Sequence, residues 1–220
     1  MVHLLSDDPG CFPNPALALP DGLLAVGGDL RPARLLAAYQ QGIFPWFNEG
    51  EPPLWWCPDP RCVLFPPDLR ISHSMKPLLR KNAFDFRVNT AFEDVMRNCQ
   101  KAPRCGQDGT WITEAVVAGY TALHRLGYAH SAEAWLDGHL VGGLYGVWLG
   151  KVFFGESMFS HVPNSSKFAF IRWVTQLQGK GVELIDCQVP TDHLLSLGAT
   201  LIPRKVFLAQ LEALISGKQK

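Results

Sequence analysis

The sequence predicts an α+β protein in which a small Pro-rich N-terminal domain, residues 1–60, packs on a larger domain, residues 61–220, built around a mixed sheet. Three observations carry this reading. Twelve of the 17 prolines lie within the first 67 residues. Proline fixes φ and removes a backbone donor, so that stretch should be rich in turns. Past Asp59-Pro60, helical and strand periods alternate along the chain. With 47% hydrophobic and 18% charged residues, the chain also has enough apolar material for a sizeable core.

The elements follow in order. Pro32 to Gln41 reads as a helix, with Pro at its first position, Leu35, Leu36 and Tyr39 as an apolar stripe, and Gly42 as its stop. Thr90-x-x-Glu93 has the form of a capping box, opening a helix to about Lys101. A further helix runs from Thr113 to Leu126 and closes at Gly127. An antiparallel meander comes next, Ala129–Leu136, His139–Leu149 and Val152–Phe159, turning at Asp137-Gly138 and Gly150-Lys151. Asn164 to Leu177 is amphipathic, with Phe168, Ile171, Val174 and Leu177 on one side. Glu183–Val189 is a short buried strand, Thr191–Leu197 a short helix, and Pro203–Ile215 a closing helix. This order is compatible with the acyltransferase fold of the N-acetyltransferase superfamily.

Bulk properties narrow the function. Lys+Arg and Asp+Glu both total 20, so any nucleic-acid contact needs a local patch. The first eight residues lack the basic and apolar regions of a signal peptide, and no apolar run reaches the ~18 residues of a membrane helix. The six cysteines, 11, 57, 62, 99, 105 and 187, form no C-x-x-C pair, which fits reduced thiols in cytoplasm. A cytoplasmic monomer with no membrane partner is expected.

Several segments combine unusual residues. They are Gly42-Ile43-Phe44-Pro45-Trp46, Trp55-Trp56-Cys57-Pro58-Asp59-Pro60-Arg61, Gly109-Thr110-Trp111-Ile112-Thr113, Gly142-Gly143-Leu144-Tyr145-Gly146, Phe154-Gly155-Glu156-Ser157-Met158-Phe159-Ser160 and Leu184-Ile185-Asp186-Cys187-Gln188-Val189. Together, and in this order over about residues 12–205, they resemble the signature segments of the leucyl/phenylalanyl-tRNA–protein transferase family. The resemblance implies a small N-terminal domain on an acetyltransferase-like (GNAT-like) domain. It also implies transfer of Leu, Phe or Met from Leu-tRNA, Phe-tRNA or Met-tRNA to proteins beginning with Arg or Lys, which marks them for degradation by the N-end rule.

Glu156 stands in an otherwise apolar strand, where a carboxylate is costly unless paired. A structural salt bridge or a rim-exposed residue is the plain alternative. The resemblance places it in the catalytic site, near the amino group of the transferred residue. Asp186 and Gln188 should share one side of their strand by alternation, and the resemblance makes them a relay that deprotonates the acceptor amine. An aminoacyl ester is already activated, and an α-amino group has a reference pKa of about 7.7–8.0. Alignment, one proton transfer and tolerance of an oxyanion therefore suffice, and no metal or other cofactor is expected.

Leu144, Phe153, Met158, Phe170, Trp173, Leu177 and Ile185 sit where the family lines an apolar pocket for the transferred side chain, with plain core packing as the alternative. Trp46, Trp111 and Tyr39 are candidates for stacking on the terminal adenosine of tRNA. Arg70, Lys76, Arg80 and Lys81, with Arg87, form a modest basic cluster that could meet the acceptor stem, or be no more than a solvated face. Three other readings compete. A CoA-dependent acetyltransferase would need a Gly-rich pyrophosphate loop, but Ser160–Lys167 has no glycine. A cysteine hydrolase would use Cys187 and His193. A non-catalytic tRNA- or peptide-binding adaptor would not need Glu156, Asp186 and Gln188.

Overall fold

The computed structural model describes residues 2–102 and 110–216. Cys105, and Gly109 of the Gly109–Thr113 segment, lie outside the described residues. The elements are β1 (His3–Leu4), β2 (Leu23–Val26), α1 (Pro32–Gln40), β3 (Phe44–Pro45), β4 (Leu54–Trp56), β5 (Arg61–Leu64), α2 (Met75–Arg80), β6 (Asp85–Val88), α3 (Phe92–Lys101), α4 (Glu114–Arg125), β7 (Ala129–Leu136), β8 (His139–Leu149), β9 (Val152–Ser160), α5 (Ser165–Gly179), β10 (Leu184–Gln188), α6 (Asp192–Ser196), β11 (Thr200–Ile202) and α7 (Arg204–Ile215). They form a four-stranded sheet, β1-β2-β4-β3, and a seven-stranded sheet, β11-β5-β10-β9-β8-β7-β6.

Neighbouring strands of the larger sheet are antiparallel except β9 and β10, which are parallel and joined through α5. A parallel pair needs such a crossover because no tight turn can join its ends. Alternate residues face opposite sides, and each side has its own apolar cluster. Phe154, Leu184, Tyr145 and Val63 join one, packed with α1, α3, α4 and α7. Phe153, Ile185, Leu144 and Cys62 join the other, beneath α5. The first cluster also takes in Leu24, Ala25 and Trp55 of the smaller sheet. α1 stops two residues before Gly42, where a side chain would meet the Phe207 ring 2.7 Å away and φ is +72°.

Most expected elements are present within a residue or two. The strands β5, β6 and β11, and the smaller sheet, were not expected, because each is short or lies among prolines. The capping box at Thr90 is a correction. The helix begins at Phe92 with no side-chain cap, and Glu93 instead reaches Arg97 at 3.4 Å. The backbone amides of Thr90 and Ala91 donate to Oε1 of Glu133, each at 2.9 Å. Ser131 Oγ adds a bond at 2.7 Å, Trp135 Nε1 one at 3.0 Å, and Thr90 Oγ1 bonds Oε2. Glu133 is fully buried, so only this ring of donors makes its position tolerable. Replacing it by Ala strands five donors just ahead of α3. Thermal and urea unfolding of Glu133→Ala should show a loss of about 3 kcal/mol or more, with Glu133→Gln falling between it and wild type.

Candidate active site

Pairing between β9 and β10 runs from Leu184↔Val152 to Asp186↔Phe154 and then stops. Both strands carry a bulge just beyond. In β9 the register passes from Gly146↔Gly155 to Tyr145↔Ser157, leaving Glu156 as the extra residue. A bulge reverses the alternation: Phe153 faces the α5 side before it, and Phe159 the opposite side after it. In β10 the register passes from Asp186↔Val63 to Gln188↔Cys62.

The gap between the strands is a cavity of about 240 Å³. Gly155, Glu156, Ser157 and Met158 form one wall, Cys187, Gln188 and Val189 the other, with Leu144, Phe170 and Ile185 deeper and His193 and Leu194 at the side. A second cavity, of about 320 Å³, shares the wall of Glu156, Ser157, Gln188, Val189 and Thr191 and is otherwise lined by Phe44, Pro45, Trp46 and Trp111.

Glu156 stands where the two cavities meet. Tyr39 donates to its Oε1 at 2.7 Å, Tyr120 to its Oε2 at 3.2 Å and Gln188 Nε2 to its Oε1 at 3.3 Å. The hydroxyls of Tyr39 and Tyr120 also bond each other. Burial pushes the Glu156 carboxyl up to about 7, with the charge of Asp186 acting in the same direction. The two tyrosine hydrogen bonds and Arg61 oppose it. Both phenols are pushed well above their ordinary range, by burial first and then by the charge of Glu156. They stay protonated and serve as donors.

Of the pocket candidates, Leu144, Met158, Phe170 and Ile185 line the smaller cavity. Phe153, Trp173 and Leu177 do not. They are buried behind it, Phe153 and Trp173 with ring centres 5.7 Å apart. Trp46, 41% exposed, and the nearly buried Trp111 both line the second cavity. Tyr39 is a correction. It is wholly buried, with its hydroxyl on Glu156, so no base can reach its ring. Asp186 and Gln188 are another. The bulge puts Gln188 in register with Cys62, which faces the side opposite to Val63 and Asp186. Asp186 lines neither cavity, and its two oxygens accept from Arg61 Nε and Nη2 at 2.8 and 2.7 Å. Arg70, Lys76, Arg80 and Lys81 are exposed and make no ion pair among the described residues, whereas Arg87 is tied to Asp85 and lies over the Trp135 ring.

Tyr120 and Arg61 escaped the sequence reading. Tyr120 lies inside the expected helix with no local signal to mark it, and Arg61 reads only as the last letter of a motif. The Cys187 thiol is pushed well above its ordinary range, by its hydrogen bond with Cys62 and then by burial. Such a thiol is a poor nucleophile. Among the described residues no group of three His, Cys, Asp or Glu could hold a metal ion, and no helix is long and apolar enough to cross a membrane.

Comparison with known proteins gives the lineage. Residues 63–212 match the family described as leucyl/phenylalanyl-tRNA protein transferase, and residues 28–59 match the N-terminal domain of the same family. The leucyl/phenylalanyl-tRNA–protein transferase of Nitrosospira multiformis is 56% identical over 98% of this chain and 93% of that protein. That of Chromobacterium violaceum is 55% identical over 96% of this chain and 91% of that protein. Among solved structures, L-PGS from Bacillus licheniformis aligns with a TM-score of 0.44 and 12% identity, over 89% of this chain and 74% of that one. The family match and the two homologous transferases define a transferase enzyme. The chain belongs to the leucyl/phenylalanyl-tRNA–protein transferase family.

The raised pKa of Glu156 has a sign that can be checked. Its folded-state pKa, about 7, lies above the ordinary 4.5. Its contribution to stability is therefore complete below about pH 4.5 and is lost as pH rises through about 7. Glu156→Gln, which imitates the neutral acid, should melt higher than wild type at pH 8, by about 3 kcal/mol or ~7 °C, and with wild type at pH 4.5. Equal melting temperatures at pH 8 would show that Glu156 ionises freely.

Proposed function

We propose that the protein transfers Leu, Phe or Met from aminoacyl-tRNA to the α-amino group of proteins with N-terminal Arg or Lys, marking them for N-end rule degradation. The observation that carries this is the place of Glu156, a carboxylate of raised pKa where an apolar cavity meets one walled by two tryptophans. The smaller cavity, lined by Leu144, Met158, Phe170 and Ile185, suits a flexible or flat apolar side chain such as that of Leu, Met or Phe. Trp46 and Trp111 present aromatic surface to the terminal adenosine, which stacking holds with little regard to base. The exposed Arg70, Lys76, Arg80 and Lys81 meet phosphates of the acceptor stem. Residues 61–220 are read as an acetyltransferase-like unit and residues 1–60 as a smaller one packed on it, acting as a cytoplasmic monomer.

In the reaction the neutral acceptor amine attacks the ester carbonyl, a C–N bond forms, and the C–O bond to the ribose breaks. The amine gives up one proton and the departing ribose oxygen gains one. Glu156 is the titratable group at that junction, and a pKa near 7 suits it to hold the ammonium when ionised and to pass the proton on. Asp186 acts through Gln188 rather than on the amine. No covalent aminoacyl-enzyme forms, in keeping with the raised Cys187 thiol. The second reading, a non-catalytic adaptor, is separated from this one by activity alone.

Purified protein incubated with radiolabelled Leu-tRNA should label peptides beginning with Arg or Lys and leave a peptide beginning with Ala unlabelled. Glu156→Ala should lower kcat/KM by about a hundredfold or more. In wild type the acid limb of kcat/KM should carry a step near pH 7 from Glu156 beside that of the acceptor amine at about 7.7–8.0, and Glu156→Gln should lose only the first. tRNA bound without transfer would favour the adaptor, and label trapped on Cys187 would refute direct attack.

A further inference from the structure

We infer that Arg61 is a positioning residue of the transfer reaction, holding Asp186 so that the backbone turn after it presents the Gln188 carboxamide to Glu156. This rests on the reading of Glu156 as the group that meets the amine. Arg61 lines neither cavity and is almost wholly buried at the first position of β5. Two of its nitrogens are given to Asp186 in a fork, at 2.8 and 2.7 Å. Its guanidinium carbon lies 4.9 Å from the centre of the Phe44 ring and 4.5 Å from that of Phe207. Its remaining nitrogen, Nη1, has no hydrogen-bond partner among the described residues. Held between two rings, this plane is fixed in position and in tilt.

Stability alone gives little reason for the arrangement, since apolar residues of similar volume commonly replace a buried ion pair without loss. The next residues supply a reason. Asp186 Oδ1 also accepts the backbone N–H of Gln188, two residues on, at 3.0 Å. Side-chain turns of this kind bend the chain locally. Gln188 lies at φ +56°, where a residue with a Cβ is disfavoured. The Asp186 bond offsets that cost only while the carboxylate keeps one orientation, and the Arg61 fork fixes it. From that turn the Gln188 side chain reaches Glu156 Oε1 at 3.3 Å. The line of contact is therefore Arg61 to Asp186, Asp186 to the Gln188 amide, and the Gln188 side chain to Glu156. Lysine in place of Arg61 keeps the charge but has no planar fork, so it frees the turn without leaving Asp186 unpaired.

The test is a mutant cycle on the full-length enzyme with Leu-tRNA and an Arg-initiated peptide, comparing Arg61→Lys, Gln188→Ala and the double variant. Arg61→Lys should lower kcat at least tenfold, leave KM for Leu-tRNA within about twofold, and move the acid limb of kcat/KM to higher pH, since the carboxylate loses a donor. In the Gln188→Ala background the same change should cost less than twofold. An effect that is just as large in that background, or that falls wholly on KM, overturns the inference, as does an Arg61→Lys enzyme as fast as wild type. If Arg61→Lys does not fold, Arg61→Met/Asp186→Leu, which strands no buried charge, replaces it in the cycle with the same expectations. A wild type that transfers nothing defeats the functional reading instead, which keeps the two failures apart.

Discussion

The parallel ladder between β9 and β10 ends after three residue pairs, and the site exists because it ends there. Had the pairing continued, the backbones would have closed to about 4.8 Å and left no room between them. The two bulges enforce the stop from both sides. One turns Glu156 out of the β8–β9 ladder, and the other carries Gln188 off the face that Asp186 occupies. Parallel pairing up to that point keeps the base of the wedge narrow and rigid. The mouth is therefore set by covalent geometry and register more than by any movable loop.

Polar groups within the wedge constrain one another. Tyr39, Tyr120 and Glu156 make three mutual contacts. Two phenols supply only two protons to fill them. A protonated Glu156 would supply the third, so the triangle favours the neutral acid for a reason separate from burial, although each phenol still stabilises the ionised form. Glu133 shows the opposite arrangement, with five donors converging on a single carboxylate. Glu133 on β7 and Glu156 on β9, with β8 between them, thus sit in contrasting surroundings. One has its acceptors saturated and serves the frame, while the other borders a cavity and is free to meet a ligand.

Much of this was legible in the sequence where a residue's neighbours are close along the chain. The meander, α4, α5 and α7 follow from turn chemistry and periodicity, and Glu156 stood out as a charge inside an apolar strand. Contacts between distant segments were not legible. Tyr39 reads as a helix stripe until α1 is seen against β9, 117 residues away in sequence. Thr90 reads as a cap until Glu133 arrives from β7. The expectation for Asp186 and Gln188 failed for a different reason: alternation assumes an unbroken strand, and nothing in Leu-Ile-Asp-Cys-Gln marks the bulge. Trp173 and Leu177 were placed by resemblance near a pocket that their helix meets only at Phe170.

Tyr39 comes from α1, upstream of residue 60, and its hydroxyl donates to Glu156, where the two cavities meet. Phe44, from the same stretch, closes over Arg61. The first sixty residues are thus built into the wall of a cavity whose facing groups, Glu156 and Gln188, lie a hundred residues further on. For heredity this means that neither stretch can be exchanged alone with a distant relative. Recombination between them would unite two well-formed halves around a mismatched centre, and selection should transmit them as one unit.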